Sequence, residues 1–279
     1  MKLNHATGDS SMVILLASEP MKKKSMKKKL LFSMSALLIS TFLWVQTASA
    51  QSRQDYEGNP DQWRSQLSGY LWALSMDGTA EIMGNPIDLD LSFGDLLDDL
   101  DFAMSLRFES HKGNLGYFLD GMAIRLKPET STPAGTISQE VKSFIGEVGG
   151  IYHFNPTVEG IYGVRYQAMD VEVDLSGLSP PPPVMNFGGD ADWTDIFVGI
   201  RYVPVRSDKW LVWLRGDVGS GDSDIMWNGA VGASYHINNR WSLGGAYRIL
   251  TNDYEEGGFK WDVDYEGVAF ILGYTFQPR

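Results

Sequence analysis

Eleven ionisable residues fall on one side of segments whose other side is apolar: Arg107, Glu109, Asp120, Glu147, Glu159, Arg165, Asp195, Arg201, Arg215, Asp217 and Arg248. Arg107 lies between Leu106 and Phe108, Arg165 between Val164 and Tyr166, and Arg201 between Ile200 and Tyr202. Charge alternating with apolar residues marks a strand with one polar face. On the inner wall of a closed sheet such groups have two uses. They can pair with one another and plug the bore, or they can line a narrow path for ions or small solutes. Both signs are present, and a bore of about ten strands is tight. Pairing is therefore the expectation and conduction the alternative.

The elements that must position these charges are long strands. Ten segments have the pattern: 66–76, 101–111, 115–127, 138–154, 157–172, 191–204, 210–218, 224–237, 241–254 and 260–276. They exceed typical soluble strands and match a tilted membrane crossing. Ile196, Val198, Ile200 and Tyr202 oppose Asp195, Gly199 and Arg201; Phe102, Met104, Leu106 and Phe108 oppose Ser105, Arg107 and Glu109. Short links (112–114, 155–156, 205–209, 238–240) alternate with longer ones, and Pro180–Pro183 sits in a long link, where it interrupts no strand. Aromatic residues gather near both strand ends, as interface girdles require. Tyr70, Trp72, Tyr117, Tyr152, Phe154, Tyr202, Trp210, Tyr235, Trp241, Tyr274 and Phe276 fall toward the short-link end. Tyr166, Trp193, Trp227, Tyr247, Tyr254, Trp261 and Tyr265 fall toward the other. The expected fold is all-β, an antiparallel transmembrane barrel of about ten strands with short periplasmic turns and longer extracellular loops. Eight strands with two long hairpins is the topological alternative.

Composition agrees. The 279 residues include 30 glycines, 34 aromatic residues and no cysteine, which excludes disulfides, a thiol nucleophile and thiolate metal sites. Mean hydropathy is slightly negative, which argues against a bundle of membrane helices. Lysines at 22–24 and 27–29 precede an apolar run, 30–45, and the small-residue stretch 46–50, Gln-Thr-Ala-Ser-Ala. That order reads as an export signal cleaved after Ala50, since the run is too short for a spanning helix. Residues 1–20 fit no part of the signal and read as an over-called start, with translation from Met21 or Met26. Residues 51–65 read as a periplasmic lead-in and 66–276 as the barrel. Without 1–50 the chain keeps 16 Lys/Arg against 33 Asp/Glu, about −17, a poor partner for nucleic acid.

Acidic residues concentrate on the long-link side. Asp77, Glu81, Asp88, Asp90, Asp95, Asp98, Asp99 and Asp101 fall within one link without a Lys or Arg. Such clusters could hold divalent cations, although the spacing is not that of an EF-hand and a solvated acidic surface is the plainer reading. Inside the link, 92–100 reads as a short helix with Ser92 as N-cap and Asp95 three residues on, and Leu96, Leu97 and Leu100 are placed to cover the barrel mouth.

Residues 69–79 (Gly-Tyr-Leu-Trp-Ala-Leu-Ser-Met-Asp-Gly-Thr), 90–102 (Asp-Leu-Ser-Phe-Gly-Asp-Leu-Leu-Asp-Asp-Leu-Asp-Phe) and 116–122 (Gly-Tyr-Phe-Leu-Asp-Gly-Met) resemble a family of small outer-membrane β-barrel proteins of Gram-negative bacteria. The resemblance covers about a fifth of the chain. It implies the fold and a bacterial outer-membrane location. It implies no catalytic residues, because that family mostly has no assigned activity. Barrel enzymes of similar architecture, the omptin-type proteases and the lipid A acylases and deacylases, work from the outer leaflet with a histidine. Here His111, His153 and His236 all fall at periplasmic turns. They read as rim residues, and no catalytic, cofactor or metal residue is assigned. The expected role is structural or surface-interacting, with a channel and a lipid-acting or proteolytic enzyme as alternatives.

The last strand carries two further expectations. Trp261, Val263 and Tyr265 are odd-numbered, whereas Val268, Phe270, Leu272, Tyr274 and Phe276 are even. If both sets face lipid, a β-bulge must lie near Glu266 and Gly267. The strand is also expected to engage lipid and the barrel-assembly machinery. In the proteins it resembles that machinery reads a terminal aromatic, whereas here Gln277, Pro278 and Arg279 follow Phe276.

Overall fold

A computed structural model describes residues 62–82, 85–132, 135–176 and 189–276. The expected export signal, most of the lead-in, the proline run and the tail after Phe276 lie outside the described residues. In chain order the elements are β1 (Arg64–Ile82), β2 (Asn85–Leu91), α1 (Phe93–Asp98), β3 (Leu100–Lys112), β4 (Leu115–Leu126), β5 (Glu129–Thr132), β6 (Gly135–His153), β7 (Val158–Ser176), β8 (Gly189–Arg206), β9 (Trp210–Gly221), β10 (Ile225–His236), β11 (Trp241–Glu256) and β12 (Phe259–Thr275). Ten of these strands are staves of a closed antiparallel barrel, sealed where β12 pairs with β1 from Gln66↔Thr275 to Ile82↔Phe259. The two others, β2 and β5, extend hairpins on β1 and β6. Much of what reads as long loop is thus strand, and the staves β1, β6 and β7 reach 19 residues.

Closure satisfies the backbone polar groups that hydrocarbon cannot. The short turns are built by side chains that substitute for backbone partners. The Asn155 carboxamide oxygen accepts from the Thr157 and Val158 amides, both at 2.9 Å. Asn238 does the same for Arg240 and Trp241 at 2.8 and 2.9 Å. The β11–β12 turn places Gly257 and Gly258 at φ 61° and 86°, the left-handed conformations a two-residue hairpin demands. Pro204 sits in β8 where the register with β9 shifts between Tyr202 and Val205, a bulge that accommodates a residue with no N–H.

The expected bulge near Glu266 and Gly267 is absent. Pairing is regular through 264–268 on both sides of β12. The physical reason is that the two apolar sets face different surroundings. Val268, Phe270 and Leu272 point outward, whereas Trp261, Val263 and Tyr265 are buried inside. Gly267 shares the inward phase, and a Cβ there would strike the Ala73 carbonyl of β1. The same correction applies to several girdle residues: Trp72, Trp193, Tyr254, Trp261 and Tyr265 are buried within the barrel, and the Tyr70 hydroxyl donates to Asp120 Oδ1 at 2.7 Å. The periplasmic girdle is nevertheless well formed. Edge-to-face pairs Trp63–Tyr117, Tyr152–Phe154, Trp210–Tyr235 and Trp241–Tyr274 have centroids 5.5, 5.2, 5.1 and 4.9 Å apart.

Helix α1 follows from its cap. The Asp95 amide donates to Ser92 Oγ at 3.3 Å, and Ser92 N–H returns a bond to Asp95 Oδ2 at 2.9 Å. Bonds from the Ser92 hydroxyl and amide hold the Asp95 carboxyl below its ordinary value. Its ionised form therefore supports the helix at neutral pH, and that support fades as pH falls through the depressed value. Ser92→Ala should raise amide exchange over residues 94–98 about fivefold, the effect of ~1 kcal/mol for a lost N-cap. Exchange mass spectrometry at pH 7 checks it.

Candidate functional site

The inward faces divide the bore into a periplasmic part, a charged middle and an apolar upper part. All eleven alternating charges have the inward phase, and register sets Arg107, Asp120, Glu147, Arg165 and Asp195 side by side on consecutive staves. Ten of the eleven are ion-paired. Glu147 is the hub. Its carboxylate receives Arg165 from β7, Arg215 from β9 and Arg248 from β11, each at 2.9 Å. Arg165 also reaches Asp217 at 3.0 Å, and Asp217 accepts from Arg215 and from Asn228 at 2.7 Å. Arg107 joins Glu109 and Asp120 at 2.8 and 3.1 Å. Ring faces complete the cage: the Arg107 and Arg165 guanidiniums lie 4.2 and 5.0 Å from the Phe118 and Phe197 centroids. Asp195 departs from the pattern. It is buried and accepts from the Ser223 amide at 3.0 Å, so it anchors a turn.

The periplasmic part joins residues that the sequence leaves separate at the rim. His111 and His153 are not separate rim residues. Their rings share a hydrogen bond of 2.9 Å. His111 Nε2 lies 2.7 Å from Glu109, and His153 Nδ1 lies 3.2 Å from Glu159. Glu159 is fully buried and also receives Arg201 and, at 2.7 Å, Arg206. Arg206, read from sequence as a turn residue, thus belongs to the interior. The signal available was parity, since 109 and 111 share a face of β3 and 153 and 159 pair across the β6–β7 hairpin. His236 ends β10.

Above the charges lies an apolar chamber of about 140 Å³, lined among others by Trp72, Leu74, Met122, Ile145 and Trp261 and by Leu96 of α1. Leu96 and Leu97, expected at the mouth, divide their roles: Leu96 is buried and Leu97 is half exposed. Among the described residues no group of three or more His, Asp or Glu side chains converges as a metal site.

Outside, the surface is the reverse of a soluble protein. Ile196, Phe270, Val198 and Leu71 are all more than 60% exposed, in a belt above the aromatic girdle. Buried charge within, exposed aliphatic side chains without and a closed ladder define a transmembrane β-barrel of the bacterial outer membrane. No family model and no curated protein matches the chain. Among solved structures it is similar to Ail, the attachment invasion locus protein of Yersinia pestis, at 11% identity over 77% of this chain and 98% of that one, with a TM-score of 0.37. It is similar to Neisserial surface protein A at 12% identity, over 76% and 96%, with a TM-score of 0.30. It is also similar to the Ralstonia pickettii toluene transporter TbuX at 12% identity, over 80% and 93%, with a TM-score of 0.33. Likeness at this level is too distant to transfer a function.

Proposed function

We propose that this protein is a barrel closed to diffusion, whose work is done at its cell-surface side. The observation that carries this reading is the direction of the ion pairs. Glu147 on β6 holds Arg248 on β11, and Arg201 on β8 holds Glu109 on β3 at 2.7 Å. In a ring of ten staves these pairs stand five and four apart, so they span the bore and do not run along its wall. Charges that line a conducting path must leave room for the ion and its water. Here Arg201 is already forked onto Glu109 and Glu159, and Arg248 onto Glu147 and the Asn228 carboxamide, the arrangement that satisfies buried charge. Structure beyond the membrane belt then becomes the working surface: the acidic hairpin β1–β2, the cap α1 and the upper parts of β6 and β7.

The mature protein inserted into planar lipid bilayers should show no unitary conductance steps. Stable steps from the wild-type protein would establish the narrow channel instead. Glu147→Ala, which unties three arginines at once, is expected to produce flickering conductance where the wild type has none.

A further inference from the structure

Among the described residues, the staves β1 and β3 part early at the seam between them. Their ladder runs only from Arg64↔His111 to Gly69↔Leu106. On that side β1 next pairs at Met76, and then with β2. Over the same height β3 is paired on its other side alone, with β4, through a register shift between Leu100 and Phe102. Tyr70–Ser75 and Leu100–Ser105 therefore face one another without a ladder. The level is that of the lipid belt, because Leu71 on one side and Phe102 and Met104 on the other are exposed. Open strand edges at that depth are tolerated where they line a cavity or are covered by protein. The first condition holds, since the apolar chamber lies directly behind the seam.

The chamber spans both lips of the seam, with Trp72 and Leu74 from β1 and Ala103 from β3, and α1 contributes Leu96. Its floor is closed by charge, with the Arg248 guanidinium 4.9 Å from the Trp72 ring and already bonded to Glu147. Its volume, about 140 Å³, is close to that of an engineered apolar cavity in another protein, about 150 Å³, that stays dry and takes up benzene or xenon. Met76, Met122 and Met169 in the lining give an adaptable wall. The approach to the seam from outside is acidic. On the outer wall beside the seam, Asp77, Asp90, Asp264 and Glu266 surround a neighbouring opening next to Ser75, and α1 carries Asp95 and Asp98. No Lys or Arg lines either space. At that opening a carboxylate or phosphate would meet like charge, and the guanidinium at the chamber floor, Arg248, is already bonded to Glu147.

We infer that the β1–β3 seam is a lateral portal and that the chamber behind it binds a neutral hydrocarbon of about benzene size, taken from the outer leaflet. This inference does not depend on whether the lower bore conducts, since the chamber ends above the charges.

The mature protein in nanodiscs is titrated with fluorobenzene and followed by ¹⁹F NMR. Saturable binding is expected, displaced by benzene and not by hexanoate at equal concentration. Leu96→Trp, which fills the chamber, should weaken binding at least tenfold while the barrel keeps its heat-dependent gel mobility. Ala103→Trp, at the lip, should slow exchange of the probe at least tenfold. A wild-type crystal under xenon pressure gives a reading free of any variant, with xenon expected behind Trp72 and Leu96. No saturable binding, or equal binding by folded Leu96→Trp, overturns the site. Displacement by hexanoate as effective as by benzene overturns its neutral selectivity. Unchanged exchange in Ala103→Trp overturns the lateral route. A chamber empty of xenon, or filled by a detergent or lipid chain, overturns the small-hydrocarbon assignment.

Discussion

Glu147→Ala is expected to lower the unfolding free energy of the barrel by about 3–5 kcal/mol, the cost of removing one partner from a buried ion pair. Glu147 is nearly inaccessible and holds three guanidiniums through its two oxygens. Without it Arg165, itself fully buried, keeps Asp217 as its carboxylate partner; Arg215 must share that same group, and Arg248 is left with the neutral Asn228. Three positive charges then depend on one carboxylate in a bore of low dielectric, where repulsion and desolvation both act against the fold. Glu147→Gln keeps one acceptor oxygen and should cost less than the alanine. The control is Glu172→Ala, which removes an exposed partner of Lys142 at 2.9 Å and should cost under about 1 kcal/mol. Urea unfolding of protein folded into liposomes, followed by tryptophan fluorescence, gives the three differences. A Glu147→Ala loss no larger than that of Glu172→Ala would mean that the bore is hydrated and that the cross-bore pairs do not hold it.

The strands and their faces were legible because a half-buried sheet writes itself into sequence at period two. Ile196, Val198 and Ile200 against Asp195 and Arg201 needs no tertiary information. What the inward charges bond to is another matter. Glu147 and Arg248 are 101 residues apart, and only the closing of the ring by β12 on β1 sets β6 opposite β11. No local pattern carries that. The upper bore is less legible for a different reason. Where both faces of a strand are apolar, alternation separates two faces without saying which meets lipid. An outward reading of Trp261, Val263 and Tyr265 alongside Phe270 and Leu272 requires a bulge, and the ladder has none. Unbroken parity was the better guide, because odd positions from Trp261 to Ala269 share one side, and Gly267 at close approach to β1 lies among them. His111 and His153 lie at the periplasmic strand ends where the sequence places them, and parity across the hairpins is what brings them to Glu109, Glu159 and each other. The α1 cap was legible because the Ser92–Asp95 spacing states its own hydrogen bonds.

Val198→Arg should destabilise the barrel by about 2–4 kcal/mol, the range for an arginine on the lipid face near the bilayer midplane. Val198 lies between Tyr162 of β7 and Val218 of β9, with Ile196 and Ile200 above and below on its own stave. Its side chain is 63% exposed, which in water would make it a permissive surface site. A soluble protein would accept arginine there within about 0.5 kcal/mol. The substitution therefore tests whether the surrounding solvent is hydrocarbon, independently of any contact inside the barrel. Val205→Arg, near the periplasmic turn, supplies the depth comparison. It is also exposed, but it lies close enough to the headgroups for a long side chain to reach water, and should cost about 0–1 kcal/mol. Unfolding from liposomes reads the difference between the two. Equal, small effects at both positions would place this belt in water and refute the transmembrane assignment, whatever the closure of the sheet.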